Sequence, residues 1–228
     1  MSGVLVAGGT GALGAGVLRA LLEGGYEVTA TWVEDRERER VEAELAGARG
    51  LTLVEANLME EGGAESAVAG APNLTAVVNL VGGFASGPLA HETDQETYDR
   101  MLELNLRPGF MLVRAAFPRL IEAGGGAYVG VSARPALQPF PGSAAYSTAK
   151  AAVLAFVRSL AADYRDRGIR ANAILPSVID TPANRAATPD ADFSKWVPPD
   201  EIGRVVRFLV SDESAPTSGA AIPVYGRA

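Results

Sequence analysis

The sequence has no cysteine and only one histidine, His91, among its 228 residues. Without cysteine the chain can form no disulfide, no thiolate metal site and no cysteine nucleophile. A single histidine cannot build a multi-histidine metal site, so we expect no bound metal. The sequence also lacks a run of 18 apolar residues, the length that predicts a membrane-spanning helix. The strand-like segment 3–7 is not preceded by the basic region of a signal peptide, which favours a cytoplasmic protein.

Positive charge is scarce as well. The chain carries 20 lysines and arginines against 27 acidic residues, for a net charge of −7 and an isoelectric point of about 4.9. Proteins that bind nucleic acids or anionic membranes need a basic face, so we expect neither partner. Hydrophobic residues make up 48% of the chain, enough for the core of one sizeable domain. The expected partner is therefore a small-molecule substrate.

Apolar segments of strand length alternate with helical patterns along the whole chain, with no linker or internal repeat between them. Such alternation predicts one doubly wound α/β domain over residues 1–228, with a mostly parallel seven-stranded sheet flanked by helices. Ligands in this architecture bind beyond the carboxyl ends of the strands. The predicted strands are 4–7, 26–33, 51–55, 75–81, 126–132, 169–175 and 221–225.

A glycine-rich turn, GGTGALG, follows the first predicted strand and precedes a helical pattern at residues 17–23. In this context glycines let the backbone approach a pyrophosphate at the N-terminus of a helix. The alternative is a tight turn that needs positive φ angles. The candidate cofactor-binding residues in the turn are Gly8, Thr10, Gly11, Ala12, Leu13 and Gly14.

The segment SAAYSTAK places Tyr146 and Lys150 four residues apart at the start of a predicted helix. Residues at this spacing lie on one helix face, one turn apart. The positive charge of Lys150 is expected to favour the phenolate and so to lower the pKa of Tyr146. A tyrosine with such a pKa can exchange a proton during a reaction. The alternative is a helical tyrosine with a lysine beside it by chance.

The end of the second predicted strand offers both signs of charge. In dinucleotide-binding folds an acidic side chain at this point pairs with the ribose 2′-hydroxyl, and a basic one pairs with a 2′-phosphate. Here Trp32 and Val33 are followed by Glu34, Asp35 and Arg36. NAD and NADP both remain possible. The two acidic side chains would repel a 2′-phosphate, which gives a weak preference for NADH.

These motifs, in this order, resemble those of the short-chain dehydrogenase/reductase family over the whole chain. The family's T-G-x-x-x-G-x-G turn is similar to residues 7–14, with Ala7 in place of threonine and Ala12 in place of the middle glycine. Residues 79–82, NLVG, are similar to its N-N-A-G motif. Tyr146 and Lys150 match its Y-x-x-x-K motif, and Asn105 matches its helix asparagine.

The resemblance implies an NAD(P)H-dependent oxidoreductase that transfers a hydride to a C=N or C=O substrate. Tyr146 would supply the proton, Lys150 would depress its pKa and hold the nicotinamide ribose, and Asn105 would support a water-linked proton path. Relatives pair through helices that correspond to residues 98–121 and 144–164, which implies a homodimer or homotetramer. The further cofactor contacts that it implies are Trp32, Arg36, Asn57, Leu58, Asn79, Val81, Gly82, Pro176, Val178, Ile179 and Thr181.

One departure from the family is Ala133, which stands thirteen residues before Tyr146, where the family has a serine. Ser132 is adjacent, but neighbouring side chains of a strand point to opposite faces. Ser143 is a second hydroxyl nearby, at a position typical of a helix cap. The implied substrate contacts are Phe84, Ser132, Ala133, Ser143 and Trp196.

Segments 133–137, 180–185 and 189–196 are similar to the quinonoid dihydropteridine reductase branch of the family. This similarity implies a pterin as a possible substrate and a substrate lid at about residues 178–198. A carbonyl or 3-oxoacyl reductase, and a catalytically silent NAD(P)-binding sensor, are the alternatives that the sequence leaves open.

Overall fold

A computed structural model describes residues 2–227. Seven strands form one sheet in the order β3-β2-β1-β4-β5-β6-β7, and every neighbouring pair is parallel. The predicted single α/β domain with seven strands is confirmed, and its sheet is fully rather than mostly parallel. The strands are β1 (Gly3–Ala7), β2 (Glu27–Trp32), β3 (Leu51–Glu55), β4 (Leu74–Asn79), β5 (Gly126–Val131), β6 (Ile169–Pro176) and β7 (Ala221–Val224).

Helices cover both faces of the sheet, as a parallel sheet requires. They are α1 (Gly14–Glu23), α2 (Asp35–Glu44), α3 (Gly63–Ala69), α4 (Gln95–Glu122), α5 (Ala144–Asp163), α6 (Pro182–Ala187) and α7 (Pro199–Val210). On one face the core includes Phe117 of α4 and Val157 of α5. On the other it includes Leu18 of α1 and Val206 of α7. Within residues 2–227, none of these helices has the length and apolar character needed to cross a membrane.

Two elements differ from their predicted bounds for local reasons. The strand predicted at 75–81 ends at Asn79, because the side chain of Asn79 accepts a hydrogen bond from the backbone N–H of Val81 (3.1 Å) and turns the chain out of the sheet. The helix predicted at 98–121 begins at Gln95, because the carboxylate of Asp94 accepts from the backbone N–H of Thr97 (2.7 Å). Both changes place polar groups at the edge of the sheet where the strands end.

The segment predicted as a lid is folded rather than an open loop. It contains the short helix α6 and a helical turn at Phe193–Lys195. Its two ends are paired by a parallel bridge between Ile179 and Val197. Val197 donates to the carbonyl of Val178 (2.9 Å), and Asp180 donates to the carbonyl of Val197 (2.9 Å). The segment thus leaves and returns to the sheet edge at one place.

Candidate active site

The glycine-rich turn between β1 and α1 needs its glycines for three different reasons. Gly8 has a positive φ of 70°. A Cβ added at Gly9 would lie 2.6 Å from the Cβ of Ala30, and one at Gly14 would lie 1.9 Å from the carbonyl oxygen of Gly9. At Gly11 an added Cβ would meet only one atom, 3.4 Å away, so the protein itself leaves room there. The tight-turn alternative therefore explains Gly8 alone, and the open side at Gly11 fits the approach of a phosphate to the N-terminus of α1.

Arg40, on α2, holds the outer side of this turn, a contact that no sequence pattern predicts. Its Nη2 donates to the carbonyl oxygens of Thr10 (2.6 Å) and Gly11 (3.1 Å), while Nη1 pairs with Glu44 (2.9 Å). The charged pattern of α2 predicts only a solvated helix. The contact depends on how α2 packs against the turn, which no local pattern encodes.

The end of β2 is occupied by an aromatic ring and a guanidinium. Trp32 is half-buried, and the Cζ of Arg38 lies 5.2 Å from the centroid of its ring. Arg38 also pairs with Asp35 (3.1 Å) and Glu42 (2.9 Å), so its charge is already compensated. Arg36 is exposed. Of the basic side chains around this point, it is therefore Arg36 that the structure leaves accessible.

Residues at the ends of β3 and β4 form the floor of the site. Asn57 accepts from the N–H of Met59 (3.0 Å) and donates to Glu60 (2.8 Å), and the adjacent Leu58 is buried. Asn79 is buried and shapes the turn that carries Val81 and Gly82, as described above. The predicted contacts of β3 and β4 therefore share one edge of the sheet with the glycine-rich turn.

Gly82 brings three elements together. A Cβ added there would lie 2.6 Å from Oδ1 of Asn105 on α4 and 3.0 Å from Nζ of Lys150 on α5. Asn105 is buried; its amide donates to the carbonyls of Met101 (2.9 Å) and Gly83 (3.2 Å), and its Oδ1 accepts from the N–H of Gly83 (3.2 Å). Its side chain is thus satisfied by backbone and holds the turn after β4 against α4.

Tyr146 and Lys150 lie one turn apart on α5, with the Nζ of Lys150 5.8 Å from the centroid of the Tyr146 ring. Nζ donates to the carbonyl oxygen of Val131 at the end of β5 (3.0 Å). The ring of Phe84 packs edge-on against Tyr146, with centroids 4.9 Å apart. The pair therefore stands at the carboxyl ends of β4 and β5.

The prediction that Lys150 lowers the pKa of Tyr146 is wrong, because burial raises this pKa. Burial raises the pKa of Tyr146 to about 12, and burial lowers the pKa of Lys150 to about 8. Desolvation disfavours the charged form of each group and is the cause of both shifts. Tyr146 is therefore a neutral phenol at pH 7 and can donate a proton.

Neither of the two serines predicted to contact the substrate has an accessible hydroxyl. The prediction that they contact the substrate is therefore wrong. Ser132 is 1% exposed and donates to the carbonyl oxygen of Lys150 (2.7 Å), so it faces α5. Ser143 is also 1% exposed; its hydroxyl bonds the carbonyl (2.6 Å) and N–H (3.1 Å) of Phe140 and the hydroxyl of Ser147 (2.9 Å). Ser143 precedes α5 without capping it through its side chain. Neither serine therefore supplies the hydroxyl that Ala133 lacks.

The segment after β6 carries the remaining predicted residues. Pro176 ends β6, Val178 is exposed, and Ile179 forms the bridge to Val197. The hydroxyl of Thr181 is buried and accepts from the N–H of Asn184 (3.2 Å), which caps α6. Thr181 thus positions α6 as well as lying at the sheet edge.

Farther along, an ion pair and two rings stack on one another. Asp180 and Arg185 form two hydrogen bonds, one of them 2.8 Å long. The Cζ of Arg185 lies 4.7 Å from the ring centroid of Phe193, which packs 4.7 Å from the ring of Trp196. The proposed lid is thereby held together by contacts within itself. Among residues 2–227 no group of three acidic or histidine side chains is placed to hold a metal ion.

The burial of Lys150 has a measurable consequence for stability. Its pKa falls from 10.5 in the unfolded chain to about 8 in the folded one, so the unfolded chain binds more protons between these values. Burying the charged form of Lys150 destabilises the folded protein. This destabilisation is fully present below pH 8 and disappears as the pH rises to 10.5. Relative to Lys150→Met, the free energy of unfolding of the native protein should rise by roughly 3 kcal/mol between pH 7 and pH 10.5. Urea unfolding followed by circular dichroism measures this.

Lys195→Met, which removes an exposed lysine, is the matched control and should track the native protein at every pH. If the curves of Lys150→Met and the native protein stay parallel from pH 7 to 10.5, Lys150 is not desolvated as described.

Residues 8–226 match a family model described as enoyl-(acyl carrier protein) reductase. The chain is 31% identical to a 2-(R)-hydroxypropyl-CoM dehydrogenase of Xanthobacter autotrophicus over 189 residues, 76% of each protein. It is 30% identical to a D-threitol dehydrogenase of Mycolicibacterium smegmatis, over 97% of this chain and 90% of that one.

Its fold is similar to that of an oxidoreductase of the short-chain dehydrogenase/reductase family from Burkholderia thailandensis. The TM-score is 0.88 at 26% identity, over 98% of this chain and 90% of that chain. The family match covers nearly the whole chain and agrees with the relatives and with the shared fold. The chain belongs to the short-chain dehydrogenase/reductase family, whose members are oxidoreductases.

Proposed function

We propose that the protein transfers a hydride between a nicotinamide dinucleotide and a secondary alcohol or the corresponding ketone. The observation that carries the proposal is the convergence of Tyr146, Lys150 and the Gly82 turn at the sheet edge that also holds the glycine-rich turn. The names of the relatives, a hydroxypropyl-CoM dehydrogenase and a threitol dehydrogenase, describe oxidations of alcohols and support this class of substrate.

The chain's own residues have separate tasks in this reaction. The turn at residues 8–14 would bind the pyrophosphate, and Lys150 the nicotinamide ribose. A bound nicotinamide supplies the hydride in reduction and accepts it in oxidation. As a ketone is reduced, negative charge develops on its oxygen, and the neutral phenol of Tyr146 donates a proton to that oxygen. The ammonium of Lys150, 5.8 Å from the ring, then stabilises the phenolate that remains.

A quinonoid dihydropteridine is the second candidate substrate, and Ala133 is the observation that favours it. A ketone oxygen benefits from two donors, whereas a quinonoid ring delocalises its electrons and needs the second donor less. Because the relatives are named for alcohols, we rank a ketone ahead of the pterin as the substrate. A 3-oxoacyl substrate belongs to the same ketone class. The silent-sensor alternative is opposed by the presence of Tyr146, Lys150 and Asn105 together.

We infer a weak preference for NADH over NADPH. Arg38 and Arg40 are both engaged, the first with acidic neighbours and the second with the carbonyls of the glycine-rich turn. Only Arg36 is accessible at the end of β2, and Glu34 and Asp35 beside it would repel a 2′-phosphate.

Association into a dimer or tetramer through α4 and α5 is also part of the proposal. Phe110 of α4 is exposed and lies 6.4 Å from the ring of Phe156 on α5. The guanidinium of Arg114 lies 5.9 Å from the Phe110 ring. An exposed apolar face on these two helices supports pairing between copies.

Tyr146→Phe keeps the ring packing against Phe84 but removes the proton donor. General acid catalysis contributes ~10²–10⁴-fold, so the kcat for ketone reduction should fall by that factor while the dissociation constant of the cofactor stays nearly unchanged. Steady-state oxidation of NADH and fluorescence titration measure the two quantities. A kcat that stays within threefold of the native value would mean that Tyr146 is structural.

Ala133→Ser restores the second donor to a developing oxyanion. A preorganised donor of this kind contributes ~10²–10³-fold, so ketone reduction should rise at least tenfold if the native site lacks it. Reduction of a quinonoid dihydropterin should change little. Efficient ketone reduction by the native protein, with no gain in Ala133→Ser, would show that another group already fills this role.

The cofactor preference is tested by titrating the protein with NADH and NADPH in parallel. NADH should bind more tightly, because the 2′-phosphate of NADPH meets two carboxylates. Arg36→Ala should leave the affinity for NADH unchanged. The proposal is wrong if NADPH binds tenfold more tightly and loses that advantage in Arg36→Ala.

A further inference from the structure

Large apolar side chains are exposed at nine positions of the described chain, and five of them lie in the loops that follow β4, β5 and β6. We call these five the apolar rim. Their exposed fractions lie between 43% and 61%, unusual for side chains of this size. All three loops are at the carboxyl edge of the sheet, where Tyr146 stands. The members of the apolar rim are Phe84, Leu89, Leu137, Phe140 and Val178.

The rim is fixed in place by the two loops that carry four of its members. The N–H of Gly87 donates to the carbonyl of Gly142 (3.1 Å), and a Cβ added at Gly142 would lie 2.6 Å from the carbonyl of Gly87. The buried hydroxyl of Ser143 bonds both backbone groups of Phe140. The backbone of Phe140 is therefore held in place while its ring remains exposed.

The rim is continuous with Tyr146. Phe84 packs edge-on against the Tyr146 ring at 4.9 Å, and Ala85 and Tyr146 pack together against a small apolar cluster that includes Met101. The buried Ala133, two residues beyond the end of β5, carries a methyl group and no polar side-chain atom. The surface that extends from the phenol to Phe84 is therefore apolar.

Charged side chains in the same loops are committed to partners within the protein. Glu92 accepts from the N–H of Leu89 (3.0 Å), and Asp94 caps α4. Arg134 donates to Gln138 (2.8 Å) and lies 5.0 Å from the ring of Tyr225. Asp180 is paired with Arg185. Of the arginines and lysines in these loops, Arg134 and Arg185 are thus engaged, and the exposed Lys195 has Asp192 as an ion-pair partner 3.9 Å away.

We propose that the substrate of this site is an uncharged alcohol or ketone with an apolar body, received by the apolar rim. The proposal rests on the proposed function and narrows its substrate class. Phe84, which packs on the Tyr146 ring, is the substrate-binding residue nearest to the phenol: its ring contacts the apolar body of the substrate. A polyol or a substrate carrying a carboxylate or phosphate lacks apolar surface to match the rim, and burying its polar groups there without partners costs binding energy.

The test compares 4-methylcyclohexanone with 4-oxocyclohexanecarboxylate, which has a similar shape and one negative charge, and with acetone, which lacks the apolar ring that the rim would receive. The native protein should prefer the neutral ring over the anion by at least tenfold in kcat/KM. Loss of one well-packed hydrophobic contact changes discrimination by ~10–200-fold. Phe84→Ala should therefore raise the KM for 4-methylcyclohexanone at least tenfold, with kcat and the kinetics of acetone little changed.

Phe84→Leu should restore most of the affinity, which a purely structural role for the aromatic ring would not predict. Phe208→Ala removes another exposed phenylalanine, 42% exposed and on α7, and is the control. Equal kcat/KM for the neutral ring and the anion, or equal losses for 4-methylcyclohexanone and acetone in Phe84→Ala, would overturn the proposal while leaving the proposed function intact.

Absence of turnover with all three ketones, with NADH and with NADPH, would count against the proposed function. Saturation-transfer NMR then decides the inference by itself. Binding of 4-methylcyclohexanone to the native protein that is lost in Phe84→Ala supports the rim, and absence of binding to the native protein overturns it.

Discussion

The buried ammonium of Lys150 is the constraint on which the arrangement of the site depends. Desolvation disfavours its charge, and the carbonyl of Val131 at the end of β5 is the acceptor that compensates part of this cost. A Cβ at Gly82 would lie 2.6 Å from Oδ1 of Asn105 and 3.0 Å from the Nζ of Lys150, so glycine lets the turn after β4 pack against both side chains. Ser132 ties the backbone of Lys150 to β5. Two strands and α5 therefore converge on one side chain.

The glycine-rich turn obeys a different constraint, the close packing of α1 against the sheet. Gly9 packs against Ala30 and Gly14 packs against the backbone of Gly9, which brings the N-terminus of α1 close to the end of β1. Arg40 then holds the outer carbonyls of the turn. Since the N-terminus of a helix attracts anions, this packing suits the phosphate group of the proposed cofactor. The two constraints act on the same sheet edge, which is where the proposed function needs the dinucleotide and the proton donor to meet.

The fold was predictable from the sequence because buried parallel strands are continuous apolar runs with recognisable ends. The juxtaposition of Gly82, Asn105 and Lys150 was also within reach, since each belongs to a recognisable motif. The raised pKa of Tyr146 could not be predicted, because spacing along a helix shows that a charge is near but not that the tyrosine is buried. Arg40 was missed for a related reason: its acceptors are backbone carbonyls thirty residues away, and backbone carbonyls leave no mark in a sequence.

Ser143 is another residue whose contacts differ from those that its sequence position predicts. A serine just before a helix is typical of a cap, yet the hydroxyl of Ser143 bonds the backbone of Phe140 instead and holds it in place while the Phe140 ring stays exposed.

Contacts between an apolar rim and an apolar substrate body act equally in the ground state and the transition state, so they lower KM without raising kcat. On the proposed mechanism, the chemical step depends on Tyr146 and Lys150 of α5, with Ala133 contributing no donor. Selectivity would then depend on the loops that carry the rim and turnover on α5, with the contact between Phe84 and Tyr146 as the point where the two meet.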